Sequence, residues 1–363
     1  MAVTVLATGD LAPQRPFVRA GGPVWHLLAD ADVAFANLET TFTEREGGME
    51  KLVRLRSDRR LAAEVAKAGI DVCTLANNHT MDFGDGGLGD TLGALDGAGV
   101  GRVGAGRDLA EAESPHVLEH NGLRVALLGF ACTLPNGCGA GQSRAGVAPI
   151  RVLSRFVVDP VAIDEDPGMA PFVETAVMPG DDERAAQAVR SARAQADVVV
   201  VAVHWGVPHG WVPESQGELA TYQRPLARTL VEAGADAVVG HHPHVLHGIE
   251  VVEGRPVFYS LGNFLFHALL ERDPRLERPY PPYSWRSLRG ELNHLGGVAG
   301  LRWVEPGAPE LVELLPVSMD GHGDPELAKG GIATQTLDRV ECLSSELGTR
   351  FRRSGDRLEV ELA

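Results

Sequence analysis

Six short apolar runs, each ending in residues that can bind a metal or a polar ligand, constrain this chain more than any other feature. VTVLAT (3–8) leads to Gly9-Asp10, DVAFA (32–36) to Asn37-Leu38-Glu39, and DVCTLA (71–76) to Asn77-Asn78-His79. DVVVVAV (197–203) leads to His204, DAVVG (236–240) to His241-His242-Pro243-His244, and PVFYSLG (256–262) to Asn263. Runs of this length, rich in valine and with little polar alternation, suit strands buried on both faces. Helical patterns separate them: 58–68 stops at Gly69, 85–98 stops at Gly99, and 181–196 opens on acids. A fourth, 214–233, ends at Gly234, with Pro225 expected to kink or split it. Alternating strands and helices predict an α/β fold with a largely parallel sheet wrapped by helices. In such sheets functional groups gather beyond the carboxyl ends of the strands, so six polar endings point to one shared site.

A chain of 363 residues can form one large α/β domain or two smaller ones. The net charge of −16 argues against nucleic acid or an anionic membrane surface as the main partner. Cys73, Cys132, Cys138 and Cys342 match no zinc-ribbon or redox spacing, and Cys73 reads as a small core residue. The opening MAVTVLATGDLAP lacks the pattern of a signal peptide, and no window reaches the ~18 apolar residues of a membrane span, so the expected location is cytoplasmic. Two stretches, 134–179 with Gly, Pro and short strand-like pieces and 267–296 rich in Arg, Pro and aromatics, lack a helix period and read as lid or insertion loops on a domain covering 1–320. Residues 321–363 read as a C-terminal helix, weakened by Gly330-Gly331, and a final strand packing on the same domain. The oligomeric state is not legible.

His242 and His244 flank Pro243, which pushes the residue before it towards extended geometry. An extended backbone would turn both imidazoles to the same side, ready to hold one ion. His241 and His247 are expected to be supporting or solvent groups. Imidazole suits Zn and Fe, and carboxylate or amide oxygens extend the choice to Mn. Asn37 and Glu39 share the same i, i+2 relation, and a carboxylate there can bridge two cations. Asp10 is a further candidate ligand, with a turn cap as the alternative; for His204 the alternative is a buried core histidine. Asn78 offers an amide oxygen to a metal. Asp82 is expected to bond His79, fix its tautomer and raise its pKa, making it a general acid; an ordinary strand-to-helix turn is the alternative. Asn263 reads as a supporting or substrate-facing amide, and Trp205 and Trp211 as pocket walls or packing.

GD at 9–10, NLE at 37–39, LANNHTMDFG at 75–84, HWG at 204–206, GHHPHVLHGIE at 240–250 and YSLGNFLF at 259–266 occur in that order. This succession resembles the CapA-type family named for poly-γ-glutamate capsule synthesis, itself similar to calcineurin-like metallophosphoesterases. The resemblance implies a two-sheet β-sandwich flanked by helices, with ligands at strand ends. By that likeness Asp10, Glu39, Asn78, His204, His242 and His244 hold metal, and His79 assists the leaving group. Arg56 stands where the family usually has an arginine, which could clamp a carboxylate or phosphate; a solvated charge at a helix start is the alternative. Two departures stand out: Leu11-Ala12 follow Asp10 where a histidine is usual, and Glu39 replaces the bridging aspartate. One or two divalent ions (Mn, Fe or Zn) are therefore expected. The implied function is metal-dependent hydrolysis of a phosphate ester or related anionic small molecule. Alternatives are hydrolysis or transfer at an amide or γ-glutamyl bond, and a non-catalytic subunit of a poly-γ-glutamate synthesis apparatus.

Overall fold

The valine-rich runs escape polar alternation because each forms a strand covered on both faces, by a second sheet on one side and by helices on the other. The computed structural model describes residues 2–18, 22–51, 53–169, 171–206, 218–267 and 291–362. The chain first lays down β1 (Val3–Ala12), α1 (Pro23–Ala29), β2 (Val33–Leu38), α2 (Ala62–Lys67), β3 (Val72–Thr74), α3 (Gly84–Ala98) and β4 (Gly101–Val103). These four strands pair in parallel. It then crosses to a second sheet through β5 (His116–His120) and β6 (Leu123–Ala131), with a separate ribbon of β7 (Val152–Val157) and β8 (Phe172–Val177). α4 (Asp181–Arg193), β9 (Val198–His204), α5 (Gln223–Glu232), β10 (Ala237–His241), β11 (Ile249–Val252) and β12 (Arg255–Phe258) follow. The second sheet has the order β11-β12-β10-β9-β6-β5.

The chain returns to the first sheet with β13 (Asn263–Phe266), β14 (Leu295–Trp303), β15 (Leu311–Met319) and β16 (Pro325–Leu327). α6 (Gly330–Ser345), β17 (Phe351–Arg353) and β18 (Leu358–Val360) close it. The path is β17-β18-β15-β14-β1-β2-β3-β4, with β13 beside β1 and β16 beside β15.

Period-two alternation divides each strand between two cores. Val3, Val5, Phe35 and Val72 of the first sheet meet Leu127, Val198, Val200 and Val239 of the second. Their sequence neighbours Leu6, Ala34 and Cys73 pack under α1, α2 and α3. Leu128, Val199, Val201 and Val238 pack under α4 and α5. The result is a helix–sheet–sheet–helix sandwich, the α/β architecture expected from the motif order.

Several local expectations are corrected. The first sheet is mixed, because β14 and β15 pair antiparallel to each other and β14 runs antiparallel to β1. Pro225 kinks nothing: it lies in the first turn of α5, where backbone N–H groups have no intrahelical acceptor to lose. Pro325–Leu327, expected to begin the last helix, is a strand, and α6 starts at the two glycines. The 134–179 stretch carries its strand-like pieces as β7 and β8 and adds a short helix, Pro160–Glu165. Most of 267–296 lies outside the described residues, as do Trp211 and the start of the 214–233 pattern. Among the described residues, no helix is long and apolar enough to cross a membrane.

One backbone approach sets the register of the site. A Cβ on Gly9 would stand 2.1 Å from the Gly262 carbonyl oxygen, so only glycine fits. The contact lets the Asp10 N–H donate to that carbonyl at 2.9 Å and aligns Asp10 with Asn263.

Candidate metal centre

Four strand ends deliver the candidate residues to one buried point. β1 carries Asp10, β2 carries Asn37 and runs into Glu39, β9 ends at His204, and the turn after β10 supplies His242 and His244. Asp10, Asn37 and Glu39 are fully inaccessible to solvent. Two groups of side chains have ligand atoms within 4.8 Å of one another: Asp10 with Glu39 and His204, and Glu39 with His242 and His244. Glu39 is common to both.

The geometry around Glu39 fits a cation. Its Oε1 lies 3.6 Å from His244 Nε2, 3.7 Å from His204 Nε2 and 3.9 Å from His79 Nε2. These separations are too long for hydrogen bonds. Among the described residues neither Glu39 oxygen has a hydrogen-bond partner, and Asp10 Oδ2 faces His244 Nδ1 at 3.3 Å. A buried carboxylate left bare in this way is costly. Two atoms each about 2.1 Å from one ion stand roughly 3–3.5 Å apart, so the observed spacing suits a shared metal after slight contraction. Asn78 joins the same cluster, its Oδ1 lying 3.0 Å from His204 Nε2, which also approaches His242 Nδ1 at 3.1 Å.

Asn37 is a brace. Its Nδ2 donates to Asp10 Oδ1 at 2.8 Å and stands 3.4 Å from His204 Nδ1, while its Oδ1 accepts from Asn77 Nδ2 at 3.0 Å. Asn77 also accepts from the His79 N–H, fixing the turn after β3.

The electrostatics follow from burial and proximity. Burial, reinforced by neighbouring Asp10, pushes the Glu39 carboxyl well above the usual range despite His244. Burial opposes ionisation of Asp10 too, but His244 outweighs it and holds Asp10 below its ordinary value. Burial likewise disfavours charge on His244, yet Glu39 and Asp10 overcome it and hold the imidazole up at about 9. His204 is held well below 6.5 by burial and by the surrounding histidines.

The His-Pro-His turn is not the extended device the sequence suggested. His242 has φ of +101° and His244 of +56°, both in the left-handed half of backbone space. The imidazoles therefore converge through a strained turn, at a cost on the order of 1–3 kcal/mol per residue. His244 Nδ1 donates to Asn263 Oδ1 at 2.9 Å, leaving Nε2 towards Glu39.

Beside the centre, His79 Nδ1 donates to Asp82 Oδ2 at 2.8 Å, and the Leu55 N–H donates to the same oxygen. Lys51 was not singled out by the sequence reading. Its Nζ donates to Asp82 Oδ1 at 2.5 Å and to the Asn78 carbonyl at 2.7 Å, and lies 3.3 Å from His79 Nδ1. The available signal was compositional: it is one of three lysines in a chain with 30 arginines. A compact ammonium with three donors suits this converging set better than a planar guanidinium. The His79 pKa is lowered, not raised as expected, because burial together with Lys51 and His244 outweighs Asp82.

Other candidates lie apart from the cluster's contacts. Arg56 is exposed, donates to the Arg45 carbonyl at 3.0 Å and stands over the Phe83 ring. Trp205 is fully buried, stacks on Tyr259 and donates to its carbonyl. His241 meets the Thr8 carbonyl at 3.0 Å, and His247 is buried, so neither is a solvent group.

His247 yields a prediction independent of metal. Burial first, then the Arg339 charge, lowers it to about 3. Unfolded, it would take a proton near pH 6.5; folded, it refuses one until about 3. Stability from this group is therefore complete above pH ~6.5 and falls by ~1.4 kcal/mol per unit as the pH drops towards 3. Urea melts between about pH 7 and pH 5 should show His247→Leu with a shallower acid slope than wild type; equal slopes would contradict the assignment.

The model of the family described as "Bacterial capsule synthesis protein PGA_cap" matches residues 4–268. The uncharacterized protein y4sH of Sinorhizobium fredii is 28% identical, covering 96% of this chain and 90% of that protein. The PGA biosynthesis protein CapA of Bacillus subtilis is 32% identical over 65% of this chain and 53% of its own length. A probable polyglutamine synthesis accessory protein of Mycobacterium tuberculosis is 33% identical over 64% of this chain and 55% of its own. The matches to these last two thus span about half of each relative. Because the matched span opens within β1 and takes in every candidate ligand from Asp10 to His244, the chain belongs to the bacterial capsule synthesis PGA_cap family.

Proposed function

We propose that this protein is a metal-dependent hydrolase acting on a phosphate ester or a related anionic small molecule. The observation that carries the reading is Glu39, a buried carboxylate with both oxygens unbonded and three imidazole nitrogens at 3.6–3.9 Å. Asp10, Glu39, Asn78, His204, His242 and His244 would hold one or two divalent ions, of Mn, Fe or Zn. Such ions, when bound, polarise the bond under attack and lower the pKa of bound water from ~15.7 towards ~7. Two carboxylates against two dications leave the centre positive, which suits an anionic substrate.

The chain's own residues supply the proton handling. Asp82 fixes the Nδ1–H tautomer of His79, so Nε2 is the working atom: it takes a proton and passes it to the leaving group. Lys51 holds Asp82 and the Asn78 carbonyl in place. Arg56 is engaged elsewhere, so anion binding falls to the centre itself.

The test is turnover of a generic aryl phosphate by metal-stripped protein resupplied with Mn, Fe(II) or Zn. Turnover that appears with metal and disappears with chelator supports the reading, and none with any metal overturns it. The relatives named for PGA biosynthesis and polyglutamine synthesis point to glutamate polymers, and a second reading is therefore cleavage or transfer at a γ-glutamyl amide. Metal-dependent release of glutamate from a γ-linked oligoglutamate, without phosphatase activity, would put it first. Metal binding with neither activity would favour a non-catalytic role in polymer synthesis.

A further inference from the structure

We infer that Asn293 is a positioning residue that holds His244 in the left-handed conformation from which its imidazole reaches Glu39. The inference rests on the metal-centre reading above. Asn293 lies outside the span matched by the family model, in the short turn Glu291–His294 that leads into β14.

Its Nδ2 donates to the His244 carbonyl at 3.0 Å. Asn263 Nδ2 reaches the same carbonyl at 3.3 Å and donates to the Asn293 carbonyl at 2.9 Å. Asn263 Oδ1 in turn accepts from His244 Nδ1 at 2.9 Å. His244 is thus gripped at both ends, ring and carbonyl, by two asparagines that are also bonded to each other. A non-glycine residue at φ +56° persists only where its surroundings over-determine it, and two amide donors on one carbonyl do so.

The orientation of Asn293 is fixed by the same chemistry. Turning its amide over would set Oδ1 against the His244 carbonyl, two acceptors in contact. As it stands, Asn293 is 1% exposed and its Oδ1 has no hydrogen-bond partner among the described residues. Groups that orient a metal-bound histidine without touching the ion change affinity by roughly 10–100-fold when removed.

The experiment titrates Zn²⁺ into metal-stripped wild type, Asn293→Ala and Asn293→Asp against a competing chelator, with thermal melts of the same stripped proteins. Asn293→Ala should weaken Zn²⁺ binding by roughly 10–100-fold. Asn293→Asp keeps the shape but replaces the donor by an acceptor, so it should weaken binding at least as much. It also carries the test if the alanine variant fails to fold. A purely structural asparagine would lower the melting temperature and leave the Zn²⁺ affinity within about twofold of wild type; that result overturns the inference. Uptake of no metal by wild type overturns the metal-centre reading and this inference together, whereas normal uptake by wild type and both variants overturns this inference alone.

Discussion

Glu39→Gln is expected to weaken metal binding at both halves of the centre at once and to make the metal-stripped protein more stable. Glu39 is the one residue shared by the two ligand groups, so its charge serves either ion. Glutamine keeps the shape but removes that charge, and affinity should fall by at least ~100-fold, the upper end of what even indirect support is worth. The stability change has the opposite sign. Burial already pushes the Glu39 carboxyl well above its ordinary pKa, which means the folded state resists its ionisation. Removing the acid does not strand His244 as a buried cation, because an imidazole can release its proton and keep the bond from Nδ1 to Asn263. A gain of about 1–3 kcal/mol in urea melts under chelator is the expected result. A loss of stability with metal uptake retained would mean that Glu39 serves as an ion-pair partner of His244 and not as a ligand.

Asp82→Asn is expected to reduce turnover by ~10²–10⁴-fold while metal content stays at the wild-type level. Asp82 Oδ2 accepts from His79 Nδ1, and that bond decides which ring nitrogen faces the centre as a proton acceptor. An asparagine can present its NH₂ to Nδ1, which moves the ring proton to Nε2 and removes the acceptor. It also leaves the Lys51 ammonium without its carboxylate. Steady-state kinetics beside elemental analysis check the point. Turnover within a few-fold of wild type would remove His79 from the chemistry, and loss of metal would place Asp82 in the support of the ligands.

The strand ends were legible because both faces of the strands are buried. Such strands read as unbroken apolar runs, so Asp10, Glu39, His204 and His242 stood out as polar interruptions at their ends. Two sheets sharing one inter-sheet core could not be read from those runs alone; the order of the motifs supplied it. The antiparallel strand β14 was missed because Gly296, Gly297 and Gly300 dilute the apolar pattern of LGGVAGLRW. The His-Pro-His backbone defied its local rule. Extended geometry is the preference of a residue before proline, but here the fold imposes φ of +101° on His242. Lys51 has only its rarity as a signal, and neither it nor Asn293 sits in a motif. They act across separations of 27 and 49 residues, to Asn78 and His244, and only the folded chain brings them there. The lowered pKa of His79 has the same origin, since Lys51 and His244 reach it only through the fold.

Metal content after loading with Mn, Fe(II) or Zn, measured by elemental analysis beside Asp10→Ala, tests the central claim most directly. With two ligand groups sharing Glu39, about two equivalents are predicted in wild type, and about one in Asp10→Ala, which keeps the group of Glu39, His242 and His244. Wild-type protein that retains no metal under any of the three loadings would contradict the account.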